Sequence, residues 1–213
     1  MMAGDPMHRP VRRLAQLYAG LVLYGASMAL QIRAGLGLDP WDVFHQGISD
    51  RTGLSFGTVV IVTGALVLLA WIPLRQRPGV GTVSNVFVIG IAVDAALAVL
   101  PDAGSVPVGA AMLIAGVGLN GVAGGAYIGA GLGPGPRDGL MTGLVRRTGR
   151  SIRLVRTSIE VLVLVAGAAL GGTVGIGTVV YAVSIGPLVH ALLPRMTVAP
   201  PDPAAAATAY TVS

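Results

Sequence analysis

Six ionisable side chains stand in or beside apolar stretches of this chain, where charge is hardest to keep. Asp42 and Asp138 are 96 residues apart, and so are Asp94 and His190. Glu160 follows Arg156 by four residues, one helical turn along a shared face. An acid at membrane depth is costly and marks a candidate site for a proton, a cation or the polar end of a solute. Arg156 would neutralise Glu160 or tune its proton affinity. Each group also has a structural reading: helix capping for Asp42 and Asp138, and a neutralising pair for Arg156 and Glu160. His45 lies one turn after Asp42 but lacks a third metal ligand, so it reads as an ordinary interfacial residue and no metal site is expected.

The 96-residue spacing belongs to a longer echo. Over 35–53 against 131–149, nine of nineteen positions are identical without a gap, including Gly35 with Gly131, Gly37 with Gly133 and Pro40 with Pro136. Trp41 is exchanged for Arg137, and Ser55 returns as Ser151. Further on, Gly79-Val80-Gly81-Thr82-Val83 returns as Gly175-Ile176-Gly177-Thr178-Val179. A duplicated unit in an apolar chain points to a symmetric membrane fold.

Composition supports a bilayer as the partner. The chain is 54% hydrophobic and 11% charged, with mean hydropathy +0.78. Its basic charge is fourteen arginines, placed beside apolar spans, so membrane topology explains it and nucleic-acid binding is not expected. There is no cysteine, which excludes disulfides and thiolate chemistry. Six apolar runs, near 11–32, 56–74, 82–100, 107–130, 154–172 and 176–194, approach the ~20 residues a spanning helix needs. The first is long and has no cleavage pattern, so it reads as a retained helix. Residues 1–10 and 196–213 read as cytoplasmic tails, the second of them disordered. Repeat 1 then covers 11–100 and repeat 2 covers 101–195.

With the N-terminus inside, twelve arginines fall on the cytoplasmic side and only Arg33 and Arg51 outside. Three spans per repeat make the second copy enter from the opposite face, an inverted pair. The expectation is therefore an all-α polytopic membrane protein with six transmembrane helices as two inverted three-helix repeats. Both termini are cytoplasmic, in a bacterial plasma membrane.

Each repeat should carry a short helix, near 40–52 and 136–148. Asp39 is a good N-cap, Pro40 a good first residue and Asp42 a third-position carboxylate. Gly135, Pro136 and Asp138 take those places in the second copy, and Gly53 and Gly149 terminate both. At ~18 Å these helices are too short to cross the membrane. Two placements stay open: flat in the interface, with Trp41, Phe44 and Ile48 or Leu140, Leu144 and Val145 buried in lipid, or re-entrant, with positive ends aimed at a central path. Gly121, Gly125 and Gly129, and Gly167 with Gly171, have the small-residue spacing that lets helices approach within the bundle or between protomers of a homo-oligomer. Asn85 and Asn120 read as interhelical hydrogen bonders, and Gly186-Pro187 as a break in the last span.

No nucleophile elbow, phosphate loop or redox motif occurs, so neither an enzyme nor a cofactor is expected. The run Gly35-Leu36-Gly37-Leu38-Asp39-Pro40-Trp41-Asp42-Val43-Phe44-His45-Gln46-Gly47, the later Gly133-Pro134-Gly135-Pro136-Arg137-Asp138-Gly139-Leu140-Met141, and Arg156 with Glu160 resemble the YczE/YyaS/YitT-type bacterial integral membrane proteins. The resemblance is closest to the YczE branch, covers about 10–195 and implies a polytopic inner-membrane protein. It supplies no catalytic residues.

The leading functional expectation is a small transporter or channel for a small solute or ion. Asp42 and Asp138, with Trp41 and Arg137, would guard its entrances, and Asp94, Glu160 and His190 would line the midplane. The alternative is a non-transporting scaffold or accessory subunit of a biosynthetic or export complex.

Overall fold

The computed structural model describes residues 9–198, and the described residues form eight helices without a strand. They are α1 (Pro10–Ala34), α2 (Pro40–Thr52), α3 (Phe56–Trp71), α4 (Val80–Val99), α5 (Val106–Gly129), α6 (Pro136–Thr148), α7 (Ile152–Ala169) and α8 (Ile176–Met196). Four of them, α1, α4, α5 and α8, are long and apolar enough to cross a membrane. The bent pair α2 and α3, at 117°, would make a fifth span if counted as one. The expected spans near 56–74 and 154–172 come out shorter. Helix α3 has 16 residues, ~24 Å, and α7 carries Arg153, Arg156 and Glu160 within 18 residues.

Local chemistry explains the short helices. The Asp39 carboxylate accepts from the backbone N–H of Trp41 and Asp42, and Pro40 supplies a first residue that has no N–H to satisfy. Gly53 and Gly149 end α2 and α6 at φ 72° and 67°, a left-handed turn that a side chain would strain. The Asp42 carboxylate turns to the His45 ring rather than acting only as a cap.

Helices α1 and α5 form the centre and run antiparallel. The Ala34 end of α1 lies beside Gly109, and its Arg13 end donates to the Ala130 carbonyl. Around them, contacts recur at the sequence offset. A Cβ on Gly25 would come within 2.6 Å of Ala92 Cβ, and one on Gly121 within 2.9 Å of Leu188 Cβ. The Gly81 N–H donates to the Leu132 carbonyl at 2.8 Å, and the Gly177 N–H to the Leu36 carbonyl at 2.7 Å. Arg51 caps the last carbonyls of α7, at Ala169 and Leu170, while Arg147 reaches the Pro73 carbonyl after α3. Thus α2 packs on α7 and α6 on α3. Trp71 fills the space over Gly139, and the corresponding Gly167 lies against the Phe44 backbone. Large apolar side chains such as Leu66, Phe87, Ile91, Ile114, Leu162 and Val183 point outward, a surface suited to lipid rather than water.

Two tail and helix expectations need correction. Helix α8 continues through Pro187 and Pro194 without a break, although each proline withholds one backbone donor. Residues 196–198 are packed: Met196 closes α8, and Val198 is buried, donating to the Gly129 carbonyl and accepting from Arg13. The remaining tail positions, 1–8 and 199–213, lie outside the described residues. Gly171 adopts φ 98° in the turn after α7, and a Cβ built on it would meet nothing within 4 Å, unlike one on Gly167.

Candidate functional site

The first turns of α2 and α6 meet. The loops leading to them leave opposite ends of the antiparallel α1–α5 pair, yet Arg137 stacks on Trp41, its Cζ 4.7 Å from the ring centroid. These two residues are the pair exchanged between the sequence copies. The same guanidinium lies 3.8 Å from both Asp39 Oδ1 and Asp42 Oδ1, and those acids are almost wholly buried. At 3.8 Å these are charge contacts without close hydrogen bonds. Asp39 Oδ2 is buried with no hydrogen-bond donor.

The first-turn acid of each helix also has a partner of its own. Asp42 Oδ1 lies 3.2 Å from His45 Nδ1, and the histidine is enclosed by Trp41, Phe44 and Phe56. Its 1% exposure overturns the reading of His45 as an interfacial residue; the aromatic rings of α2 and α3 close over it. Asp138 Oδ2 accepts from the Tyr127 hydroxyl at 3.0 Å. Among the described residues, no three His, Cys, Asp or Glu converge to hold a metal ion.

Two cavities flank this meeting point. The larger, about 370 Å³, is reached by Asp39, Trp41, Arg137 and Asp138, with Tyr24, Tyr127 and Tyr181 as walls. Its far side is formed by Arg156, Glu160 and His190. The smaller, about 100 Å³, lies on the other side of Trp41 and Arg137 and includes Asn85. They correspond at the 96-residue offset: His45, Val60, Thr63 and Gly64 line the smaller where Met141, Arg156, Ile159 and Glu160 line the larger. Arg156 Nε donates to Glu160 Oε1 at 2.9 Å, so that expected pair is present, partly exposed at the larger cavity.

The size difference has a visible cause. Helices α3 and α4 are fastened together. Asp94 accepts from the Gly57 N–H at 2.7 Å and from the Ser55 hydroxyl at 2.6 Å, and a Cβ on Gly57 would overlap the Gly90 carbonyl. The corresponding residues of α7 and α8 are Ser151, Arg153, Gly186 and His190. The arginine is too large for that contact, and nothing lies within 4 Å of a Cβ built on Gly186. Helices α7 and α8 therefore barely touch. Asp94 thus lines neither cavity: it is bound to the start of α3, away from the midplane role expected for it. His190, its counterpart, does line the larger cavity.

Asn120 behaves as an interhelical hydrogen bonder, donating to Ser27 Oγ at 2.8 Å and accepting from the Tyr181 hydroxyl at 3.1 Å. The residues that sequence reasoning passed over are Asp39, assigned only to capping, and the tyrosines 24, 127 and 181. The available signal was scarcity: aromatic residues are 5% of the chain, and four of its five tyrosines fall within long apolar helices, three of them lining one cavity.

A family model described as a family of unknown function (DUF6198) matches residues 11–194. An uncharacterized protein of Haemophilus influenzae is 36% identical over 182 residues, 85% of this chain and 84% of that one. The uncharacterized membrane protein YczE of Bacillus subtilis is 34% identical over 188 residues, 87% of each chain. The uncharacterized protein YyaS of Bacillus subtilis is 28% identical over 179 residues, 82% of this chain and 89% of that one. The YczE/YyaS-type resemblance carried by the two motifs therefore holds. No solved structure matches.

Proposed function

The chain belongs to the DUF6198 family, and from that premise we propose that it is a small transporter of the bacterial plasma membrane for a small solute or ion. The observation that carries this reading is the meeting of Trp41 and Arg137 beside a cavity of about 370 Å³. In this reading α2 and α6 are re-entrant half-helices, and their N-terminal dipole ends, with Asp39, Asp42, Asp138 and Arg137, surround a binding point midway through the bilayer. The six helices α1, α3, α4, α5, α7 and α8 are two inverted sets of three, with both termini cytoplasmic. The protein acts on its ligand by binding and passage, without chemical change.

The molecule carries no cysteine, so single cysteines at 41–48 and 137–144 can be tested with a membrane-impermeant thiol reagent applied from each side. A pathway predicts that positions in one motif react from both sides. Strict one-sided reaction of both motifs would rule it out and favour the scaffold alternative. Once a substrate is identified, Asp42→Asn, Asp138→Asn and Glu160→Gln should each lower its flux in reconstituted vesicles.

A further inference from the structure

We infer that the larger cavity binds a small organic cation, a guanidinium or alkylammonium group, and that Arg137 is a tethered occupant of that site. This deepens the transport reading and rests on it for how the ligand reaches the cavity. Four observations support the assignment. Asp39, Asp138 and Glu160 line the cavity, with Asp42 directly behind, so carboxylates outnumber the guanidiniums of Arg137 and Arg156. Asp39 lines this space, and its Oδ2 is buried without a donor, so its carboxylate has an unsatisfied acceptor. The walls are aromatic: Trp41, Tyr24, Tyr127 and Tyr181, whose π faces attract a desolvated cation. Finally, a guanidinium already sits there, over the Trp41 ring and 3.8 Å from two carboxylate oxygens, too far for full hydrogen bonds.

A free guanidinium has no side-chain tether and can approach the Asp39 carboxylate more closely than the 3.8 Å of Arg137. Arg137 is about a third exposed toward open space, so its head group has somewhere to go when displaced. Metal cations fit poorly, because among the described residues no three ligating side chains converge. An anion in this cavity would face Asp39, Asp138 and Glu160 as well as Arg137.

The test uses the full chain in lipid nanodiscs, with Trp41 and Trp71 fluorescence and thermal unfolding as readouts. Methylguanidinium and tetramethylammonium chlorides are titrated against sodium chloride at equal ionic strength, with sodium acetate and sodium phosphate as the anion arm. Saturable cation binding is expected. Asp39→Asn keeps the helix cap and should weaken it about tenfold or more, while Arg137→Gln should tighten it by removing the internal competitor. The wild-type titration decides the matter even if Arg137→Gln fails to fold. Absence of a saturable cation response in the wild type overturns the proposal. So does acetate or phosphate binding that is lost in Arg137→Gln, an outcome that leaves a pathway intact with the opposite charge preference. One-sided labelling of both motifs overturns the pathway itself, whichever ion binds.

Discussion

At the level of single residues, the site is a buried arrangement of charge in which every member has a second task. Asp39 caps α2 and also faces Arg137. Its replacement by alanine removes both, so a loss of about 1–2 kcal/mol from the cap alone is the minimum expected in a chemical unfolding titration in detergent. Asparagine at the same position should restore most of that stability. Gly139 is a different case, because Trp71 occupies the space that any side chain would need, and Trp71 Nε1 donates to the Pro136 carbonyl at 3.0 Å. Gly139→Ala should cost about 1–3 kcal/mol by overpacking. Asp39 and Asp42 were visible in the sequence as cap-position acids. That one of them is an open acceptor could not be read, because it depends on a guanidinium about a hundred residues away in the chain.

The helices show why the echo was legible and its consequences were not. Proline-first, glycine-last signals located α2 and α6 to the residue, since those signals act within one turn. The fastening of α3 to α4 depends on Gly57, Gly90 and Asp94 converging from two helices, and only Asp94 stood out in sequence. Equivalent glycines should therefore respond differently. Gly90→Ala, where a Cβ would lie 2.6 Å from the Gly57 carbonyl oxygen, should lower the unfolding midpoint clearly; Gly186→Ala, facing open space, should leave it unchanged or raise it slightly, since alanine favours the helix. Asp94→Ala should loosen the same contact. A cysteine at Thr63, in the smaller cavity, should then react faster with a thiol reagent than in the parent Thr63→Cys protein. An unchanged rate would show that the two helices are held by glycine packing alone.

For the molecule as a whole, α1 and α5 run antiparallel, and the proposed orientation rests on arginine placement. A cytoplasm-active fluorescent reporter should light at either terminus, and a periplasm-active phosphatase should work when fused at 101–105. The opposite result at either place would overturn the orientation. The all-helical class and the repeat were legible because they depend on composition and register along the chain. The crossing of α2 onto α7 and α6 onto α3 was not, since it exchanges helices between the halves and leaves no periodic trace.

That exchange, together with the fastening at Asp94, bears on how two similar halves of one chain come to differ. Two unaltered copies would pack their third helices alike. Here corresponding positions differ: Asp94 against His190, and Gly57 against Arg153. One half is latched while its twin stands ajar. A handful of differences makes one half of a repeated chain tighter than the other.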